Sequence, residues 1–444
     1  MVDALADVER LLSSFMIRPS KGAVPRASLR FRRLLDVVGS PQDSLTAIHV
    51  AGTSGKTSIC YYLRSLLWLA GWTPGLTVSP HVVAVNDRIQ IGDGPVEADD
   101  MLQNLGIFLG QLPRDVRNTI TYLDLMMAFA WWMFARAKVD CAVVEVGVGG
   151  LHDRTNFLAA TGKVCVIGDI GLDHVGVLGH SLAEIAVHKA GIIKRGCHVV
   201  ALEQHPVAMS VISSAAATRD ATVEYVDGAG SAPAGLPAFQ RRNWALATAA
   251  YRHMASVHRL PKLSPGTLAS VALDQPPGRM ERWQLGGREL VLDGAHNPQK
   301  MGALRRHLTS SSRARRNIVA NMVQSTGGRI ADTCAELAQF GDHVIVPSFQ
   351  STPVPVKRSV SATEFANIAL SKGVPSAEPV EDTEEALCRA LDASAPVVVT
   401  GSLYLVSQAR NVLMRWGASL ATRDRSPVHS AVSGDRIRST PVLR

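Results

Sequence analysis

Ala47-Ile48-His49-Val50-Ala51-Gly52-Thr53-Ser54-Gly55-Lys56-Thr57-Ser58 decides the architecture of this chain. An apolar, β-branched run enters a turn carrying two glycines, and an apolar segment of helical length, residues 58–70, continues until Gly71 stops it. Strand length, glycine turn and helix length in that order predict strand, loop and helix. The glycines let the backbone fold tightly, so that successive N–H groups face phosphate oxygens. The start of a helix adds positive potential, Lys56 adds a full charge, and a following hydroxyl can reach Mg²⁺. Val50 stands where the common phosphate-loop pattern has its first glycine, so a chance Gly-Lys-Thr turn is the alternative reading. Only ten of the 46 basic residues are lysine, which sets Lys56 apart from surface filler.

Working outward, short β-branched runs alternate with helical segments. Strands are expected at 75–78, 141–146, 164–170 and 198–202, with helices at 121–137 and 181–194. Such alternation predicts a parallel sheet covered by helices. Residues 226–238 are rich in Gly, Ala and Pro and read as a surface connection before a helix containing residues 243–254. Pro276-Pro277-Gly278 breaks the chain, and the alternation restarts with strand-like segments at 289–292, 317–321, 343–346 and 397–400. The fold class expected is α/β: a parallel-sheet ATPase domain with a phosphate loop over residues 1–280, then a smaller Rossmann-like α/β domain over 281–420. Residues 421–444 are polar and rich in Ser and Arg, and are expected to be a disordered tail.

Composition narrows the function classes. With 444 residues, 46% hydrophobic and 19% charged, the chain is no disordered polymer, collagen-like fibre or disulfide-stapled miniprotein. Its net charge of +8 permits nucleic-acid binding, and Arg305, Arg306, Arg313, Arg315 and Arg316 cluster. Yet aromatic residues make up only 5% and do not interleave with the basic ones, so no nucleic-acid partner is expected. The six cysteines form no CxxC pair and read as buried free thiols in a reducing compartment. The N-terminus carries acidic residues where a signal peptide needs positive charge, and the most apolar stretch, residues 125–134, is too short to span a bilayer. A cytoplasmic protein with no membrane partner is the expectation.

Four further segments carry chemistry. Glu145 ends an apolar strand, where ligands bind in open α/β sheets, although a turn carboxylate would look the same. Gly168-Asp169-Ile170-Gly171-Leu172-Asp173-His174 closes another strand with two acids and an imidazole; alone, His174 reads more readily as a structural histidine. Lys189 precedes an Ala-Gly-Ile-Ile run, which marks a partly buried amine or a snorkelling side chain. Past the break, Leu290-Val291-Leu292-Asp293-Gly294-Ala295-His296-Asn297-Pro298 again sets polar residues at a strand end. Arg279 lies at the expected hinge, where an Arg could reach a phosphate or could simply be a surface residue.

Together these segments resemble the folylpolyglutamate synthase/dihydrofolate synthase family of the Mur-ligase superfamily, over roughly residues 10–415. The segment HVAGTSGKTS is similar to that family's phosphate loop. Ser79-Pro80-His81, then Asn86-Asp87-Arg88-Ile89, resembles its Ser-Pro-His segment, and VVEVGVGGLHDRTN its acidic strand end. DIGLDHVGVLGHSLAEIAVHKAGIIKRG is a close match, while PGRME, LDGAHNP and VVTGSLYLV resemble the hinge and C-terminal domain.

The resemblance implies an ATP-dependent carboxylate–amine ligase adding L-glutamate to dihydropteroate, to folates or to both, through an acyl phosphate. It implies that Gly52, Thr53, Ser54, Gly55, Lys56 and Thr57 hold the ATP phosphates, and that Asn243, Arg279, Asp293 and His296 belong to the nucleotide site. Thr57, Ser79, Glu145 and His174 become Mg²⁺ ligands. Lys189 matches a lysine carried as a carbamate, an anion able to bind a second Mg²⁺, and a monomer is implied. Lys56, His174 and Lys189 are the catalytic candidates. Three departures bear on the substrate: Leu151-His152 in place of the family's Arg turn, Gln324-Ser325 where an Asp-Lys-Asp pattern is usual, and a loosely matching residue 28–35 segment. They leave open a Mur-type ligase acting on another carboxylate acceptor. A nucleic-acid-stimulated ATPase is the remaining alternative from a different class.

Overall fold

The computed structural model describes residues 2–15, 24–159, 162–228, 232–233, 235–273, 275–311, 316–324, 328–351, 356–392 and 395–421. Arg313, Arg315, Ser325 and the expected tail from residue 422 onward lie outside the described residues. Two compact units divide between Asp274 and Gln275.

The first unit is built on an eight-stranded sheet. Its strands are β1 (Ala47–Ala51), β2 (Pro74–Thr77), β3 (Ile89–Ile91), β4 (Gly94–Pro95), β5 (Cys141–Glu145), β6 (Val164–Ile167), β7 (His198–Leu202) and β8 (Thr222–Val226). Their spatial order is β4-β3-β2-β5-β1-β6-β7-β8. All pairs from β2 to β8 are parallel, whereas β3 and β4 add antiparallel at one edge. The purely parallel sheet expected from the sequence is therefore corrected at that edge, where strands of three and two residues are too short to leave a periodic signal.

Every residue of β1, β2, β5 and β6 is buried, as strands covered on both faces must be. On one face, helices Lys56–Leu69 and Ala238–His258 close over Ile48, Val50, Val143, Val166 and Val200. Tyr62 meets Trp244 edge-to-face there, with ring centroids 5.1 Å apart. On the other face, helices Leu182–Ala190 and Pro206–Ala217 close over Cys165, Ile167, Val199 and Ala201. Burying each such large aliphatic side chain contributes roughly 1.5–3 kcal/mol.

Two predicted boundaries are corrected. The strand expected to reach residue 170 ends at Ile167, because the chain turns to meet the phosphate loop. The helix expected to reach 194 ends at Ala190. At Gly191 a side chain would collide with Leu151, whose N–H donates to the His188 carbonyl at 2.8 Å.

The second unit has seven strands: β9 (Glu281–Leu285), β10 (Arg288–Leu292), β11 (Asn317–Ala320), β12 (His343–Pro347), β13 (Ser376–Val380), β14 (Val397–Thr400) and β15 (Ser419–Leu420). The order is β13-β12-β11-β14-β10-β9-β15, parallel except for the antiparallel β9 and β15. Met301, Ile318, Leu337, Val344 and Phe365 fill one side of its core.

Candidate functional site

Chain order reverses beside β1, which lies between β5 and β6, and the phosphate loop springs from its carboxyl end. That is the switch point where open α/β sheets bind ligands. Val50 replaces the missing first glycine at no cost, because β1 continues through Ala51 and the turn starts only at Gly52. The loop is tied down by its neighbour: the Thr53 N–H donates to the Asp169 carbonyl at 2.7 Å, and Thr53 Oγ1 donates to the Gly171 carbonyl at 3.0 Å. Gly55 has φ +83° as the residue capping helix Lys56–Leu69, and any side chain on it would collide with the Asn243 amide. Asn243 thus stands directly over the loop. Its Nδ2 donates to Gln240 Oε1 at 2.9 Å, and Gln240 Nε2 donates to Ser58 Oγ at 3.2 Å. Lys56 Nζ donates to the Gly52 carbonyl at 3.1 Å, folded across the loop it is expected to serve.

Beside that lysine in sequence, the Thr57 side chain and the Ser79 backbone meet Glu145. Thr57 Oγ1 donates to Glu145 Oε1 at 3.0 Å, and the Ser79 N–H donates to Glu145 Oε2 at 3.1 Å. Glu145 is buried, and the Ser79-Pro80 peptide is cis. Hydroxyl and carboxylate oxygens are the hard donors Mg²⁺ selects, and each carboxylate oxygen keeps a second lone pair, so this donor set fits the ion. Among the described residues no three His, Cys, Asp or Glu side chains gather to hold a metal.

His81 lies next to this set but is no acid–base group. Burial and the Arg88 guanidinium push its imidazole down to about 3, and its Nδ1 accepts from Arg88 Nε at 2.9 Å. The unfolded chain takes up a proton at His81 below its ordinary value near 6.5, while the folded chain does not until about 3, so stability falls as pH drops through that window. In His81→Gln, the difference in thermal midpoint between pH 7.5 and pH 4.5 should be smaller than in the wild type. An equal difference would exclude His81 as a source of acid lability.

His174 opens the short helical turn Val175–Leu178 with φ +52°, a left-handed conformation that a non-glycine residue holds only when its surroundings impose it. Its N–H donates to Asp173 Oδ1 at 3.0 Å. Lys189 is buried in the last turn of helix Leu182–Ala190, whose start is a capping box between Ser181 and Glu184. The loop after β5 is fastened to that helix. Gly150 has φ +146°, and a side chain there would press on the carbonyls of His188 and Lys189. Asn156 Nδ2 donates to the carbonyls of Leu151 and Gly191 at 2.9 and 3.1 Å. Asp153 accepts from the N–H groups of Val148 and Thr155. Leu151 therefore packs, and the His152 ring stands edge-on to His188 at 5.7 Å. Hydrogen bonds join Thr57 and the Ser79 backbone to Glu145, while His174 and Lys189 are held on the loop after β6 and on helix Leu182–Ala190.

In the second unit, Asp293 at the end of β10 accepts from the N–H groups of Met280 and Ala295 at 3.0 and 2.9 Å. Burial pushes its carboxyl up, and the nearby Arg279 opposes this. His296 Nδ1 bonds the Gly294 carbonyl at 2.8 Å, and Lys300 Nζ lies 3.1 Å from its Nε2. Gln324, Ser348, Phe349, Arg358 and Ser361 line an open hollow of about 490 Å³ at the ends of β11 and β12.

Sequence reasoning missed two supports. Gln240, three residues before Asn243 on one helix face, is the helical-spacing signal that could have revealed the first. The second is Asp124, fully buried and salt-bridged to both Arg30 and Arg154 at 2.7 and 3.0 Å. Arg30 comes from the loosely matching 28–35 segment, and no local pattern announces that meeting.

Comparison with known proteins decides the family. Residues 50–226 match the Mur ligase middle domain, and residues 281–412 match the dihydrofolate synthetase C-terminal domain. The folylpolyglutamate synthase of Lacticaseibacillus casei is 30% identical over 417 residues, covering 87% of this chain and 94% of that protein. The chain belongs to the folylpolyglutamate synthase/dihydrofolate synthase family. The dihydrofolate synthase/folylpolyglutamate synthase of Bacillus subtilis is 28% identical, covering 90% and 96% of the two chains. Among solved structures, the Mycobacterium tuberculosis folylpolyglutamate synthase complexed with ADP and AMPPCP superposes with a TM-score of 0.80 at 26% identity, covering 94% and 99%. A family member bound to AMPPCP and folate gives 0.77 at 27%, covering 93% and 99%.

Proposed function

We propose that this member of the family joins L-glutamate to dihydropteroate, to tetrahydrofolate or to both, cleaving ATP to ADP and phosphate through an acyl phosphate, as a monomer in the cytoplasm. ATP-dependent glutamate ligation to folates is the activity of the family to which the chain belongs. No described helix is long and apolar enough to cross a membrane. The observation that carries the residue-level reading is the meeting of Lys56, Thr57, Ser79 and Glu145 at the switch point beside β1.

The backbone N–H groups at the start of helix Lys56–Leu69 orient the phosphates, and Lys56 exchanges its Gly52 carbonyl for a phosphate oxygen. Magnesium held by Thr57, Ser79 and Glu145, with His174 and a carbamylated Lys189 serving a second ion, would offset charge on the transferring phosphoryl group. A substrate carboxylate attacks the γ-phosphorus and ADP leaves; the amine of glutamate then attacks the acyl carbon and phosphate leaves. Asn243, braced by Gln240, keeps the loop in its bound shape. Arg279, Asp293 and His296 form the polar cluster assigned to the nucleotide in the second unit.

The test is ADP release with L-glutamate present, screened across dihydropteroate, tetrahydrofolate and unrelated carboxylic acids. Release is expected only when glutamate and a folate-type acceptor are both present. Turnover with an unrelated acid, or stimulation by DNA or RNA, would overturn the reading.

A further inference from the structure

Away from that site, two buried sulfurs meet between β6 and β7, within electrostatic reach of a buried amine. Cys165 lies within β6 and Cys197 immediately precedes β7, its parallel neighbour, and their Sγ atoms are 3.6 Å apart. Both residues are buried. Lys163, two residues before Cys165 and just ahead of β6, is 2% exposed, and its Nζ has no hydrogen-bond partner among the described residues. An isolated buried ammonium costs several kcal/mol unless an anion accompanies it. Among the charges acting on Lys163, ionised sulfur at Cys165 or Cys197 favours its ammonium and Lys194 opposes it. No carboxylate is among them. The sulfur pair is therefore the counter-ion available.

We propose that Cys165 and Cys197 form a redox-active dithiol, held as a thiol–thiolate pair beside the Lys163 ammonium, which a hydroperoxide converts to an intramolecular disulfide. Two titration effects agree with this placement. The Cys165 hydrogen bond draws the Cys197 thiol below its ordinary value, and burial brings Lys163 only to about 8, where it is still mostly an ammonium near neutral pH. Cys165 shifts the opposite way, well above its ordinary value through burial, and remains the thiol; its Sγ also reaches the Ile192 carbonyl at 3.4 Å.

In the first step the Cys197 thiolate attacks one peroxide oxygen. An S–O bond forms, the O–O bond breaks, and hydroxide leaves to take up a proton. In the second, Cys165, having lost its proton, attacks the sulfenic sulfur. The S–S bond forms and hydroxide leaves from sulfur. Two thiols and one hydrogen peroxide become one disulfide and two waters. The sulfurs give up two electrons and the peroxide oxygens receive them. Because Cys165 pairs in register with Val199, Cys197 lies diagonally across the strands, and backbone as well as side-chain adjustment must close the gap from 3.6 Å to about 2.05 Å.

The reduced full-length chain is treated with hydrogen peroxide and its mass is measured intact and after digestion. The expected result is a loss of about 2 Da, mapped to a Cys165–Cys197 cross-link and reversed by a thiol reductant. Retention of both thiols, with oxygen added only at the exposed Cys388, would overturn the proposal. Cys197→Ser should fold and show no such mass loss; persistence of the loss would also overturn it. Lys163→Met should form the disulfide about tenfold more slowly, and an unchanged rate would remove Lys163 from its role. The wild-type measurement stands even if that variant folds poorly, and none of it depends on the ligase chemistry.

Discussion

Replacing Lys56 with alanine is expected to lower acceptor- and glutamate-dependent ADP release by about a thousandfold, the effect of removing one preorganised charge from a phosphoryl-transfer site. Its amine is bound to the Gly52 carbonyl at 3.1 Å, so it already lies within the loop and needs only a local rotation to reach a phosphate. The fold should survive, because the change removes one partly exposed hydrogen bond worth about 1 kcal/mol. Nucleotide affinity should fall less than kcat, since the helix start and the backbone N–H groups remain. Comparing kcat, nucleotide Kd and Tm with the wild type checks all three points. Unchanged turnover would remove Lys56, and with it the phosphate-loop assignment, from the mechanism.

Lys189→Ala should lose about a hundredfold or more in the same assay and regain part of it when formate or acetate is added. Lys189 is buried near the end of helix Leu182–Ala190. Carbamylation would replace that cation with an anion, and truncation to alanine leaves room for a small carboxylate to supply the missing oxygens. Loss of activity with no recovery in any short acid, in a protein of wild-type Tm, would reject the carbamate. Intact-mass measurement of the wild type in bicarbonate buffer offers a readout independent of turnover.

Much of the site was legible because its signals are local. A strand, a glycine turn and Gly55-Lys56-Thr57 follow one another within a dozen residues, and glycine at φ +83° is what the start of that helix requires. Glu145 at a strand end was legible for the same reason. The antiparallel β3–β4 edge was not, since strands that short carry no period. The helix end at Ala190 was also hidden, because it depends on Leu151 lying against Gly191. Leu151, a departure in the sequence, is a packing residue in the fold.

By itself the sequence determined the type of the longer elements, the glycine turn before Lys56 and the list of residues able to carry charge or bind a cation, because turn chemistry and hydrophobic period act over a few residues. Only the tertiary structure decided which of them meet. Strand order is set by burial of whole faces, and it puts β5 beside β1 so that Glu145 reaches Thr57 across 88 positions of sequence. The same packing carries Asn243 over Gly55 and Cys165 against Cys197, contacts between residues far apart in the chain that no local pattern encodes.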